Sequence, residues 1–218
     1  MSLITSVSAA QIVLDGLIPG VGHYVKPLQS IRERKFEYVI EQQTDFSCGA
    51  ASLASILKYA YNFPEITEKL VLNGMLEMAD MVTIQEKGFS LLDMKKYIQS
   101  KGLRGRGYRV NAKELRLLKV PAIVLLNDSG YSHFVVLRRI NNEQVYLGDP
   151  ALGNRIMPFD QFQEKWNNVV FIVIGNQYDR SNPLLSPRAA LSYKALAPLS
   201  PLTDAELLDF GFSFSDIL

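Results

Sequence analysis

The sequence predicts an α+β fold with its helices first and an antiparallel sheet after them. Three observations carry that reading. Apolar residues recur at helical spacing through residues 48–61 and again through 90–100. From Gly107 onward the period changes, and apolar runs of strand length succeed one another. Asn141-Asn142 supplies turn chemistry between two of those runs, as a hairpin needs.

Residues 1–22 are mildly apolar, and Pro19, Gly20, Gly22 and Pro27 argue against a continuous helix in this region. Residues 35–41, with Phe36, Val39 and Ile40, read as a short strand. In the first long helix Ala51, Leu53, Ala54, Ile56, Leu57 and Ala60 form a broad buried side. Ser47 is placed to cap it and Pro64 follows its end. Residues 65–79 read as a second helix, weakened by Gly74. Ser90 caps a third, which turns Leu91, Met94, Tyr97 and Ile98 inward and has Gly102 just past its end. Residues 107–110 read as a strand and 111–118 as a short helix. The nearly continuous apolar run 120–126 suits a central strand. Further strands are expected at 131–140, 144–148 and 169–174, with a short helix over 159–166. After Asp179, Pro183, Pro187, Pro198 and Pro201 break any long element, and residues 203–218 are acidic and aromatic. The organisation expected is an N-terminal arm over 1–34, one domain over 35–178 and a Pro-containing C-terminal tail over 179–218.

Composition bounds the function. A chain of 218 residues suffices for one well-packed domain plus tails. The formal net charge of +1 gives no electrostatic footprint for nucleic acid. One cysteine excludes an internal disulfide, and one cysteine with two histidines leaves little for a structural zinc site. Asp128, Asp149 and Asp160 match no metal-binding loop, so no cofactor or metal is expected. No apolar run reaches membrane-spanning length. The first basic residue is Lys26, so the basic start of a signal peptide is missing. Residues 1–22 fit either the start of a mature chain whose export signal has been removed or a loosely attached arm. The basic pairs Lys95-Lys96 and Arg138-Arg139 are expected on solvated faces, and Arg104 and Arg106 are open to a partner contact.

Cys48 is the residue most suited to chemistry. A cysteine at a helix N-terminus feels unpaired N–H groups and the positive end of the helix dipole, both of which favour the thiolate. Gly49 and Ala50 beside it are small enough for a substrate backbone to approach. A lone cysteine is more often just a small buried residue, so context decides. Gln42 lies six residues upstream, where an amide NH₂ can help hold an oxyanion jointly with the backbone N–H of residue 48. Gln43 is its rival for that role. His133 begins a strand, whereas the second histidine, His23, lies in the Gly/Pro-rich arm. Asp149 ends the next strand in Gly148-Asp149-Pro150, where the plain reading is a turn residue. A hairpin turning at Asn141-Asn142 brings 133 and 149 side by side, eight positions to each side of its centre. Asp149 is then placed to accept from the imidazole and fix its tautomer. Cys48, His133, Asp149 and Gln42 are therefore the candidate catalytic residues.

These residues resemble a known family. Gln42-x5-Cys48-Gly49-Ala50-Ala51, then Ser132-His133-Phe134-Val135-Val136, then Asp149-Pro150-Ala151 with Gly153, look like the bacteriocin-processing cysteine peptidases that remove double-glycine leaders. The likeness covers roughly 38–174, and the sixteen-residue step from His133 to Asp149 agrees with the family's. One departure stands out: the family commonly has Asp directly before the cysteine, and here Ser47 is there, with Asp45 two residues earlier.

The resemblance implies a papain-like fold, with N-terminal helices packed on an antiparallel sheet. It also implies a Cys–His–Asp mechanism with Gln42 at the oxyanion. Relatives that lack the cysteine only bind cargo, and Cys48 argues against that class. The chain is similar to the stand-alone branch of the family, and within it to the peptidases of bacterial functional-amyloid secretion. That implies a protein or peptide substrate, such as a secretion-system component, and a periplasmic location. Membrane contact is expected only through a partner or a removed N-terminal segment. The rival readings are a non-catalytic cargo-binding module and a papain-like acyltransferase or deamidase.

Overall fold

The computed structural model describes residues 11–14, 24–27, 30–78, 84, 88–128, 131–141 and 143–187. The expectations for the end of the chain beyond Pro187, for most of the N-terminal arm and for Asn142 in the hairpin turn lie outside these residues.

Two short strands, β1 (Gln11–Leu14) and β2 (Tyr24–Pro27), pair antiparallel on either side of the Pro/Gly cluster. Helix α1 (Ile31–Lys35) comes next. Its start is a capping box: the Ser30 hydroxyl accepts from the Glu33 amide, and the Glu33 carboxylate accepts from the Ser30 amide. The strand expected over 35–41 is therefore absent. The Ser-x-x-Glu signal sets a helical turn, and Tyr38, at φ 59°, takes a left-handed conformation that no strand tolerates.

Helices α2 (Cys48–Ala60), α3 (Glu68–Leu76) and α4 (Leu91–Ser100) lie where the apolar spacing placed them. Thr67 caps α3, and Ser90 caps α4 in a box with Asp93. Ser47 precedes α2 but does not cap it. Its hydroxyl donates to the Thr44 carbonyl and accepts from the Thr44 amide, closing the turn before the helix. After strand β3 (Arg104–Arg109), Asn111 caps α5 (Ala112–Arg116). Then come β4 (Ala122–Asp128), β5 (Tyr131–Asn141), β6 (Gln144–Asp149), β7 (Gly153–Pro158), α6 (Phe159–Lys165) and β8 (Trp166–Ile174).

Strands β3 to β8 form a six-stranded antiparallel sheet in the order β3-β8-β4-β5-β6-β7. One face packs on α2, α3 and α4 through Ile123, Phe134, Val136 and Phe171. The other packs on α5 and α6 through Val124, Val135, Leu147 and Val170. Strand β7 is an addition to the expected set. It comes directly after the Asp149-Pro150 turn, whose chemistry masks it in the sequence.

Two details change the expected picture. Residues 179–187 are packed onto the domain. The Asp179 amide donates to the Ala60 carbonyl, and a 3₁₀ turn (Pro183–Leu185) buries Leu184 completely. Arg138 is not solvated: it is 3% exposed. Its guanidinium donates to the carbonyls of Pro183 and Leu184 and to Asn154 Oδ1. Burial lowers the Arg138 pKa to about 10.

Candidate active site

Four pieces of backbone converge on Cys48. The first is α2, of which Cys48 is the opening residue. One turn on, the buried Ser52 hydroxyl donates to the Phe134 carbonyl at 3.1 Å, next to His133. That bond ties the cysteine's helix to the histidine's strand. Gly49 makes room on its other side for α4, because a Cβ there would lie 2.5 Å from Met94 Cε, while the Phe134 ring would be at an ordinary contact distance of 3.4 Å.

The second and third pieces are β5 and β6. His133 Nε2 lies 2.7 Å from Asp149 Oδ1, and the carboxyl is fully buried. The Cys48 thiol is the second side chain that acts on the imidazole. Burial disfavours the imidazolium, but the hydrogen bonds to Asp149 and Cys48 and their charges outweigh it and raise the His133 pKa to about 9. Asp149 is pushed the other way. Burial opposes its ionisation, yet the His133 hydrogen bond and charge, the Leu152 amide and Arg155 hold it below the usual carboxylate value. Oδ1 also accepts from the Ala151 and Leu152 amides, and Oδ2 accepts from Arg155 Nη1 at 2.9 Å.

A β-bulge makes this pairing possible. Near the turn Asn141 opposes Gln144 and Arg139 opposes Tyr146, but beyond Arg138 the register slips by one, so Leu137 opposes Leu147 and Val136 opposes Gly148. Continued by one residue, that register sets Asp149 across from Val135, on the same face as His133 two residues along. Without the slip Asp149 would share a face with Phe134 instead.

The fourth piece is the loop 42–47. The Gln42 amide donates to the Pro150 carbonyl at 2.9 Å, and its side-chain Nε2 donates to the Thr44 carbonyl at 3.1 Å. Gln43 is exposed; its backbone N–H donates to the buried Glu68 carboxylate.

The domain that carries these residues has counterparts among known proteins. A model of the peptidase C39 family matches residues 36–177. The chain belongs to the peptidase C39 family. It is a cysteine peptidase. The chain is 52% identical over 200 residues to the probable functional amyloid protease FapD of Pseudomonas aeruginosa, covering 91% of this chain and 88% of that one. The same-named protein of Pseudomonas fluorescens is 46% identical over 209 residues, 95% of this chain and 92% of that one. Among solved structures, a double glycine motif protease from an AMS/PCAT transporter, in complex with the leader peptide, superposes with a TM-score of 0.53 at 28% identity. It covers 62% of this chain and 89% of that one. The peptidase domain of Streptococcus ComA, at 20% identity and a TM-score of 0.52 over 63% of this chain and 98% of that one, shares the fold.

Beside Cys48 this C39 domain carries an apolar cleft of about 770 Å³. Phe46, Phe89, Leu91, Leu92, Leu125 and Phe134 line it, and Ser132 and Asp45 stand at its polar margin. Phe46 is half exposed and packs 6.4 Å, centroid to centroid, from the buried Phe89. Among the described residues no group of His, Cys, Asp and Glu is placed to hold a metal, and no helix is long and apolar enough to cross a membrane.

Of the expected site residues, the structure puts Asp149 and Cys48 in contact with the His133 side chain, while Gln42 sits in the loop before the cysteine with its Nε2 on the Thr44 carbonyl. The sequence left two neighbours unnoticed: Ser52, whose spacing of four from Cys48 was the available signal, and Arg155, which lies on the unrecognised strand β7.

Proposed function

We propose that this C39 peptidase cuts a polypeptide component of functional-amyloid secretion, with Cys48 as nucleophile and His133, Asp149 and Gln42 as its catalytic partners. One observation carries the reading: His133 has a buried anion 2.7 Å away on Nε2 and also interacts with the thiol at the start of α2. An imidazole held protonated in that position stabilises a thiolate.

The Cys48 sulfur attacks the scissile carbonyl carbon. The oxyanion that forms is held by the Cys48 backbone N–H and by a Gln42 Nε2–H. Collapse breaks the C–N bond, and His133 delivers its proton to the departing amine. This leaves a thioester on Cys48 and a neutral imidazole. A water then attacks the thioester while His133 takes its proton; the C–S bond breaks, and the acid product leaves with the thiolate restored. Asp149 keeps the ring in one orientation and stabilises its charged form. The likeness to the two FapD proteins supports a functional-amyloid component as the substrate, and a periplasmic site of action.

The test is cleavage of candidate secretion components, incubated with the full chain and with Cys48→Ala. Loss of cleavage in the variant is expected, and undiminished cleavage ends the reading. Iodoacetamide labelling provides a substrate-free check. Cys48 in the native chain is expected to react faster at pH 7 than in His133→Ala.

A further inference from the structure

We propose that Arg155 is a positioning residue of this active site, acting on His133 through Asp149. The proposal rests on the Cys48–His133–Asp149 mechanism of the proposed function.

Strand geometry places Arg155 on this carboxylate. Asp149 at the end of β6 opposes Gly153 on β7, and Leu147 opposes Arg155. Arg155 therefore lies two residues from Gly153 on the face that Asp149 occupies, displaced back along β6. His133 lies on the same face from the other neighbour, β5, displaced forward. Asp149 has a diagonal cross-strand cation on each side, and each takes a different oxygen: His133 on Oδ1 at 2.7 Å, Arg155 on Oδ2 at 2.9 Å. The two turn amides of Ala151 and Leu152 add to Oδ1. Arg138, the nearby buried guanidinium, is turned instead to the 183 and 184 carbonyls and to Asn154.

This contact does two things. His133 and the Ala151 and Leu152 amides hold Oδ1, and Arg155 holds Oδ2 as well, so rotation about the Cβ–Cγ bond must break bonds at both oxygens and Oδ1 stays on the imidazole. A fully buried carboxyl also tends to take up a proton, and a guanidinium on Oδ2 opposes this. Arg155 is 28% exposed, so it brings its charge in from the solvent edge without being buried itself. It touches the carboxylate and not the reacting atoms.

The test compares Arg155→Met, Arg155→Lys, Asp149→Asn and the Met/Asn double variant in the full chain. Met at 155 is expected to lower kcat about 10–100-fold with KM little changed, as loss of a group orienting a functional ligand does. Lys, which restores a cation on Oδ2, recovers most of that loss. Because Arg155 works through Asp149, the double variant is expected within about twofold of Asp149→Asn alone. Additive losses, a rise in KM at unchanged kcat, or no loss in the Met variant overturn the proposal. Iodoacetamide labelling of Cys48 separates the two levels of inference. If His133→Ala labels like the native chain, the mechanism itself fails. If His133→Ala slows labelling and Arg155→Met does not, only the role of Arg155 fails. Should the Met variant not fold by circular dichroism, Arg155→Gln against Arg155→Lys carries the same comparison, and equal losses in both overturn it.

Discussion

The Gln42 backbone N–H donates a 2.9 Å hydrogen bond to the Pro150 carbonyl. Far apart in sequence, these two residues join the loop that leads into Cys48 to the turn after Asp149. The proposed oxyanion donor and the carboxylate that steadies the imidazole are thus referenced to one stretch of backbone. Gln42→Ala removes the side-chain amide but keeps that bond. It is expected to cost about 10²–10³ in kcat, as loss of one oxyanion donor does, with KM and the melting temperature little changed. Gln43→Ala, which leaves the backbone bond to Glu68 intact, is expected to leave kcat nearly unaltered. Steady-state kinetics and a thermal melt check both.

Two shifted groups of the active site shape the pH dependence between acid and pH 9. His133 is raised from 6.5 to about 9, so its contribution to stability is fully present below about 6.5 and is lost as pH rises through about 9. Asp149 is lowered from 3.8, so its contribution is present above that value and is lost as pH falls below it. Thermal stability is expected to hold across the window between these limits. The alkaline limb of kcat/KM is expected near pH 9, and Asp149→Asn is expected to draw it down toward 6.5 by removing the hydrogen bond and charge that raise His133.

Leu184 anchors the segment after β8. It is completely buried, beside carbonyls held by Arg138. Leu184→Ala is expected to destabilise the chain by about 2–5 kcal/mol, the range for emptying such a site. The midpoint of urea denaturation measures it, and a cost near zero would show that residues 179–187 are not part of the folded unit.

Gly153 faces Asp149 across β6 and β7, with φ at +77°. A Cβ there would lie 2.5 Å from the Lys35 carbonyl oxygen. Gly153→Ala combines a left-handed backbone with a clash against the main chain, so a loss of about 1–3 kcal/mol is expected in the same denaturation assay.

Much of the fold was legible in the sequence. The helical spacing of α2 and α4, the Ser90 cap and the apolar run of β4 are local signals that tertiary packing did not overturn. The facing of His133 and Asp149 was anticipated for an incomplete reason. A symmetric hairpin about residue 141 puts them on one face, but the real pairing is displaced, and only the extra residue at Arg138 restores that face. A bulge stabilised by a buried guanidinium and carbonyls from residues 183 and 184 leaves no periodic trace. Arg138 itself reads as a surface cation because its partners are backbone atoms remote in sequence. Strand β7, and Arg155 with it, went unseen because two of its six residues are Gly and Pro, which mimic a loop.

Cys48 is the chain's one sulfhydryl, and it borders an apolar cleft of about 770 Å³. An electrophilic inhibitor built around a compact hydrophobic group therefore has a single place to react and a hollow to seat itself in first. Intact-mass spectrometry of such an adduct counts competent enzyme molecules one for one, and provides a starting scaffold for covalent inhibition.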